Sequence, residues 1–270
     1  MAYLNIIIII IAMVLAYIAI PILIKILEKG NALGTNYLGE KIPNCMGLLF
    51  IFVQVFNLTF VYLFFAKGNK YIIYLFSLVL MGLVGFMDDL IGEKEVKGLK
   101  GHFISFIKGN PTTGGIKAGV GFLLSLFVAL VLSKDILEII LNTFLIAMFT
   151  NLINLFDLRP GRSSKVFILF AVIMLLFSTA SEYDKIIYSF FGILFIYLPL
   201  DLKAKVMMGD VGSNTMGFTL GIYCALTQNV IAKIVYLLLL LILHLLAEKI
   251  SFTKIIENNK FLKFLDDLGR

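Results

Sequence analysis

The sequence of 270 residues contains little charge, and this scarcity decides the class of protein. Only 15% of its residues are charged, whereas 60% are apolar. Soluble globular domains have about 25% charged and about 45–50% apolar residues. The composition therefore excludes a soluble domain and predicts an integral membrane protein with lipid around most of its surface.

Three further absences narrow this class. The apolar segments lack the alternation of apolar and polar residues that membrane β-strands show, so we predict an all-α protein. No basic region precedes the first segment, Leu4–Leu27, which is therefore expected to be an uncleaved helix. Cysteine occurs only at Cys45 and Cys224, too few for a disulfide framework, and both are predicted to be thiols without an assigned role.

Nine segments are apolar enough to cross a bilayer, which takes about 20 residues. They cover residues 3–24, 46–66, 71–87, 116–133, 136–156, 166–180, 186–202, 213–228 and 230–247. We predict a polytopic helical bundle of about nine transmembrane helices. It forms a single membrane-embedded domain over residues 1–270, with residues 248–270 as a cytoplasmic tail.

The basic residues set the orientation of this bundle. If the N-terminus is outside, 18 of the 23 lysines and arginines fall in cytoplasmic segments. The five external ones are Lys67, Lys70, Lys134, Lys185 and Lys233. An excess of Lys and Arg in cytoplasmic loops is the rule for membrane proteins. The same loops account for the net charge of +6, so we predict no nucleic-acid partner.

Unusual polar residues gather in four stretches that this topology places on the cytoplasmic side. They are "NYLGEKIPNCMG" (36–47), the pair Asp88–Asp89, "NLINLFDLRPGR" (151–162) and "GDVGSNTMGFTLG" (209–221). Asn151, Asn154 and Asp157 recur every three residues, which predicts one slowly drifting polar stripe on a helix. Polar amides in a membrane helix are costly unless they face a cavity or a partner.

The carboxylates of these stretches predict a metal site. Asp88, Asp89, Asp157 and Asp210 would meet at one membrane face. Such oxygen ligands suit Mg²⁺, which commonly binds through one or two carboxylates and substrate phosphates. Lysines and arginines in the same loops would neutralise the remaining phosphate charge.

Each stretch also has a purely structural explanation. The Asp88–Asp89 pair would end a helix at the interface, and Asp210 would cap the next one. The asparagine stripe would hydrogen-bond between helices, and the basic loops would set topology alone. The convergence of all four stretches on one side favours a functional site over these alternatives.

Taken in order, the four stretches resemble the motifs of the membrane superfamily of polyprenyl-phosphate sugar-1-phosphate transferases. The matching residues are Asn36, Gly39, Ile42, Pro43 and Gly47, then Gly85, Phe86, Asp88, Asp89 and Leu90, then Asn151, Asn154 and Asp157, and finally Gly209, Asp210, Gly212 and Ser213. The resemblance covers residues from about 36 to 247.

The resemblance implies an enzyme that transfers a sugar-1-phosphate from a UDP-sugar to polyprenyl (undecaprenyl) phosphate and releases UMP. It implies Mg²⁺ as cofactor, a place in the plasma membrane, a role in cell-envelope glycan assembly, and a homodimer. The implied catalytic residues are Asp88, Asp89, Asp210 and Lys117, the three aspartates also binding the metal. Lys100 and Lys108 are alternatives to Lys117. Substrate binding is implied for Asn151, Asn154, Asp157, Gly212 and Ser213.

The chain departs from the family pattern at three places. Met46 replaces a glycine, and Pro160 replaces the second aspartate of the third motif. The family's histidine-rich loop gives way to "EKISFTKIIE" (248–257), which has no histidine. We hypothesise that Arg159 and Arg162 take over part of the grip on the donor, because arginine binds phosphate with a bidentate fork.

Two other classes of function remain open at this point. The first is a non-catalytic relative that binds polyprenyl phosphate or a partner protein, which Pro160 and the missing histidines favour. The second is a transporter, which would place its charges near the middle of the bilayer. The retained aspartates oppose the first alternative, and their position at span ends opposes the second.

Overall fold

The computed structural model describes residues 2–65, 68–92 and 113–270, and within them it is an all-α bundle, as predicted. Its helices are α1 (Ala2–Lys29), α2 (Leu48–Phe64), α3 (Asn69–Ile91), α4 (Thr113–Leu132), α5 (Ile136–Phe156), α6 (Arg162–Leu176), α7 (Asp184–Leu202), α8 (Gly209–Thr227), α9 (Val230–Lys249), α10 (Phe252–Asn258) and α11 (Lys260–Asp267). A helix thus occupies each predicted span. The alternatives Lys100 and Lys108 lie outside the described residues.

Six of these helices are long and apolar enough to cross a membrane. These six helices are α1, α3, α4, α5, α7 and α9. The predicted count of about nine spans stays a prediction, because α2, α6 and α8 are shorter or less apolar. The predicted orientation of the termini also stays a prediction. For α8 the reason is packing: nearly all its residues are buried against other helices, so its surface does not need to match lipid.

Helix α8 lies at the centre of the bundle and packs closely against α5 and α3. Its glycines permit this approach: a Cβ at Gly217 would overlap the backbone of Phe149 and Thr150 in α5. A Cβ at Gly85 of α3 would likewise overlap the backbone at Val211. Small residues at helix interfaces are the usual device for close packing in membranes.

We expect Gly217→Ala to destabilise the bundle by about 1–3 kcal/mol, because an added methyl group in a tight core forces the backbones apart. Gly119→Ala is the matched control, since a Cβ there meets nothing within 4 Å. The thermal unfolding midpoints of both variants in detergent measure the difference. Equal midpoints would show that α5 and α8 separate without cost.

A short antiparallel hairpin joins α1 to α2 at one end of the bundle. Its strands, β1 (Leu33–Thr35) and β2 (Lys41–Pro43), pair Gly34 with Ile42. The Asn36 carboxamide oxygen accepts the amides of Leu38 and Glu40, both at 2.9 Å, and so shapes the turn. Asn36, the first residue of the first motif, therefore stabilises the turn of the hairpin.

The chain after α9 folds back onto this same end. Phe252 of α10 stacks on Phe156 at the end of α5, with ring centroids 4.5 Å apart. Asn259 caps α11 by accepting the amides of Phe261 and Leu262. The segment predicted as a tail, residues 248–270, therefore contains two short helices, α10 and α11.

Candidate active site

The ammonium group of Lys117 joins two of the predicted catalytic carboxylates. Its Nζ lies 2.7 Å from Oδ2 of Asp88 and also contacts Oδ2 of Asp210. The three residues come from the end of α3 and the beginnings of α4 and α8. The fold thus brings together Asp88, Asp210 and Lys117, which were predicted from the sequence as catalytic residues. Lys117 and Asp210 are more than 90 positions apart along the chain.

Asp89 is turned in a different direction from its neighbour Asp88. Its Oδ1 accepts the amide of Asp210 at 2.9 Å, and its Oδ2 accepts the amide of Val211 at 3.1 Å. These amides are among the unpaired donors at the beginning of α8. Asp89 therefore caps α8 from another helix and so positions Asp210, while its role in holding a metal stays a prediction.

Gly209 lets this cap form. It has a φ of +67°, and a Cβ there would overlap the Asp89 carboxylate. Only glycine adopts this backbone conformation without a steric cost. The glycine of the fourth motif therefore belongs to the geometry that holds Asp89 and Asp210 together.

Asn44 and Cys45 lie beside this cap. Asn44 Nδ2 donates to Asp89 at 3.4 Å, and its buried Oδ1 has no hydrogen-bond partner in the described part of the chain. Burial, and secondly the Asp89 carboxylate, raise the pKa of the Cys45 thiol. The raised pKa favours the protonated thiol of Cys45.

Two of the predicted carboxylates lie close enough together to suit Mg²⁺. No group of three or more His, Cys, Asp or Glu side chains suited to a metal occurs among residues 2–65, 68–92 and 113–270. Asp88 and Asp210, however, supply two carboxylates that share one cation, Lys117. Two carboxylates completed by substrate phosphates are a common arrangement for Mg²⁺.

The predicted asparagine stripe is divided by the fold. Asn154 accepts the hydroxyl of Ser213 at 3.1 Å, whereas Asn151 is exposed, and no hydrogen bond of its side chain is found in the described residues. Three residues turn a helix by about 300°, so the side chains of Asn151 and Asn154 point about 60° apart. The expectation that Asn151 joins the site is not supported.

Gly212 and Ser213 lie beneath the site instead of lining it. Ser213 is fully buried and holds Asn154. A Cβ at Gly212 would overlap the Met208 side chain and approach Gly47, so this glycine allows α2 to pack on α8. The resemblance implied that both residues contact the substrate directly, whereas the structure buries them below the site.

Asp157 ends α5 in an acidic environment. It accepts the Ser163 hydroxyl at 3.0 Å. Burial, and secondly the nearby Asp201 carboxylate, raise the pKa of Asp157 well above its ordinary value. Asp201 accepts the amide of Gly161 at 3.2 Å. The sequence prediction missed Asp201, although it ends an apolar span just as Asp88 does.

A small pocket of about 130 Å³ opens beside Asp157. It is lined by the β-hairpin, the loop after α5 and the segment before α8, including Asn36, Tyr37, Asp157, Arg159, Asp201 and Met208. Arg159 lies over the Tyr37 ring, with its Cζ 5.5 Å from the centroid. Because Met208 precedes Gly209 and Asp210 directly, the pocket adjoins the carboxylate cluster.

Arg162 does not face this pocket, contrary to the hypothesis that it grips a donor. Its Nε and Nη2 each donate to the Asp266 carboxylate at 2.8 Å, and its Nη1 donates to Thr253 at 3.0 Å. Only 4% of Arg162 is exposed. The bidentate fork is therefore used inside the protein to hold the C-terminal tail.

Known proteins share sequence similarity with much of this chain. The family model "Glycosyl transferase family 4" matches residues 71–228, more than half of the chain. The phospho-N-acetylmuramoyl-pentapeptide-transferase of Fervidobacterium nodosum is 27% identical over 205 residues, which are 70% of this chain and 60% of that protein. The protein of the same name from Staphylococcus saprophyticus is 28% identical over 239 residues, 77% of this chain and 72% of that protein.

The matched region begins in α3 and ends after α8, so it contains Asp88, Lys117, Asn154, Asp157 and Asp210. The chain spans about 60% of the length of the Fervidobacterium relative. From the family match and the relatives, we conclude that the chain belongs to glycosyl transferase family 4, as a divergent member of the polyprenyl-phosphate sugar-1-phosphate transferases.

Proposed function

We propose that this phospho-sugar transferase moves a sugar-1-phosphate from a UDP-sugar to polyprenyl phosphate at the cytoplasmic face of the plasma membrane. The observation that carries the proposal is the convergence of Asp88, Lys117 and Asp210 from three helices at one end of the bundle. A lipid phosphate and a soluble nucleotide can meet only at a membrane face, and this end of the bundle offers both anionic and cationic groups there.

The reaction is a phosphoryl transfer. An oxygen of the carrier phosphate attacks the β-phosphorus of the UDP-sugar, and the bond from that phosphorus to the bridging oxygen breaks, which releases UMP. Such reactions depend on positioning and on stabilisation of the charge on the transferred group. The positive charge of Lys117 would bind the phosphates, and the Asp89 cap would keep Asp210 in place.

Asp88 and Asp210 would hold Mg²⁺ in this proposal. The ion would neutralise the diphosphate and the developing charge on the leaving phosphate. Magnesium suits this donor set because the two carboxylates leave further positions for phosphate oxygens. Among the residues that the structure describes, Lys117 is the cation that forms ion pairs with both carboxylates.

The pocket at Tyr37 and Arg159 is the proposed binding place of the donor. We expect Arg159→Lys to raise the KM for the donor about two- to fivefold, because the lysine loses the fork and the planar stacking that are worth about 0.5–1 kcal/mol at exposed sites. Initial rates at varied donor concentration measure the effect, and the KM for polyprenyl phosphate serves as the internal control. An unchanged donor KM would leave Arg159 as a topology-determining charge only.

The proposal is tested by purified protein in lipid nanodiscs with undecaprenyl phosphate and Mg²⁺. The donors are a panel of UDP-sugars that includes the UDP derivative of N-acetylmuramoyl-pentapeptide, because the relatives' names give phospho-N-acetylmuramoyl-pentapeptide as the transferred group. Release of UMP with one donor supports the transferase. Binding of undecaprenyl phosphate without UMP from any donor would favour the non-catalytic relative instead.

A further inference from the structure

The last helix of the chain, α11, turns its polar side toward the protein. Asp266 is only 8% exposed and is held by Arg162 through two hydrogen bonds of 2.8 Å. Arg270 adds two more bonds to Asp266 and donates from Nε to the Pro160 carbonyl at 2.9 Å. Lys165 donates to the carbonyls of Leu265 and Asp266. These contacts fix which face of α11 points inward.

The opposite side of α11 carries a stripe of apolar residues. Phe261, Phe264, Leu265 and Leu268 follow each other at intervals of three, one and three, and they are 40–68% exposed. At about 100° per residue these side chains fall within an arc of about 100°, away from Asp266. We call these four residues the outer stripe.

The orientation of α11 is therefore the reverse of an amphipathic helix on a soluble protein, whose apolar face packs inward and whose polar face meets water. Leaving four large apolar side chains in water would cost roughly 25 cal/mol for each Å² of their surface. The arrangement is favourable only if the medium beyond the outer stripe is itself apolar.

Two observations identify that medium as lipid. The helix α9, one of the six apolar helices, ends at Lys249, and only ten residues separate it from α11, which begins at Lys260. The exposed apolar surface of α9 continues through Leu245 and Leu246 to Ile250, at the end of the bundle where α11 docks. The outer stripe is thus exposed at the same end of the bundle as this apolar surface of α9, and the exposed Lys260 directly precedes it.

We propose that α11 is an interfacial anchor, which lies along the membrane surface with the outer stripe inserted between lipid headgroups. Interfacial helices bury their apolar face by about 5–10 Å in this region. The polar side, through Asp266 and Arg270, holds Arg162 and Pro160 of the loop that borders the pocket. The anchor therefore fixes this loop at a constant depth relative to the membrane.

Site-specific fluorescence tests the anchor independently of any transferase activity. Both native cysteines, Cys45 and Cys224, are buried, so an introduced cysteine can be labelled selectively with an environment-sensitive fluorophore. Phe264→Cys places the label on the outer stripe, and Asp267→Cys places it on an exposed polar position of the same helix. The full chain is studied in nanodiscs of phosphatidylethanolamine and phosphatidylglycerol, with and without doxyl-labelled lipid.

The label at position 264 is expected to emit at shorter wavelength, to lose most of its emission to doxyl lipid and to be protected from iodide. The label at 267 should show the reverse. Equal quenching by iodide at both positions would place α11 in water and overturn the proposal. Protection of position 264 from both quenchers, together with energy transfer between differently labelled copies, would assign the stripe to a second copy of the chain and overturn it as well. Phe261→Cys, one turn earlier, must repeat the result of Phe264→Cys.

Discussion

Asp88→Asn and Asp210→Asn are each expected to lower kcat by about 10²–10³-fold, the usual cost of losing one electrostatic contact to the transition state. Asparagine keeps the shape of the side chain and removes its charge. Both carboxylates contact Lys117, so each variant leaves this ammonium group with one anionic partner instead of two. The measurement is UMP release at saturating donor and acceptor.

The double variant should lose much less activity than the product of the two single losses. Residues that act as one unit are strongly non-additive, because the first substitution already disables the unit. Fully multiplicative losses would indicate that Asp88 and Asp210 act separately, against the shared role that their contacts with Lys117 suggest.

Asp135→Asn is the matched control for this experiment. Asp135 caps α5 at the opposite end of the bundle by accepting the Glu138 amide at 2.9 Å. Asparagine caps helices as well as aspartate does, so stability and turnover should both remain near those of the unaltered protein. If Asp88→Asn and Asp210→Asn also turned over normally, the two carboxylates would be helix-end residues and the transferase proposal would lose its main support.

The sequence allowed the carboxylate cluster to be predicted because each member stands at an abrupt end of an apolar segment. It did not separate the roles of Asp88 and Asp89. Neighbouring residues on a helix point about 100° apart, so which of them faces Lys117 depends on where α4 lies, and which of them caps α8 depends on where α8 begins. The capping role of Asp89 follows from the tertiary position of the Asp210 amide, which no local pattern encodes.

The interpretation of Arg162 from sequence failed for a similar reason. Its surroundings suggested a loop near the donor, but its partner Asp266 lies 104 residues away in a tail that contains no family motif. Charge patterns give the side of the membrane, whereas the choice between a substrate and an internal carboxylate depends on long-range packing. Helix α8 shows another limit: it is less apolar than the other long helices, and nearly all its residues are buried against protein, so hydropathy alone does not decide whether it spans the membrane.

The second large effect is expected at this internal ion pair. Asp266→Asn leaves the buried Arg162 guanidinium without its anion, and removing one partner of a buried pair costs about 3–5 kcal/mol. We expect the cost to appear as release of the tail, because α11 and the residues after it contact the bundle through Asp266, Arg270 and Lys165. The bundle core should keep its thermal unfolding midpoint.

Spin labels at Lys205→Cys and Lys263→Cys report this release, since both positions are exposed, one before α8 and the other in α11. A narrow distance distribution should become broad in Asp266→Asn. Asp267→Asn is the matched control, because Asp267 is exposed and its carboxylate lies 3.5 Å from Arg270, a residue of the tail itself. Its distribution should stay narrow. An equally narrow distribution in Asp266→Asn would mean that Arg162 does not hold the tail.

The same pair predicts how docking of the tail depends on pH. Burial alone would raise the pKa of Asp266, but hydrogen bonds from Arg162 and Arg270 outweigh it and lower the pKa below its ordinary value. A lowered pKa in the docked state contributes stability that is present above the ordinary aspartate pKa of about 3.9 and is lost as pH falls through the lowered value. The spin-label distances should therefore stay constant from neutral pH to about 4 and broaden only below it. Broadening already between pH 7 and 5 would assign the docking to a group other than Asp266.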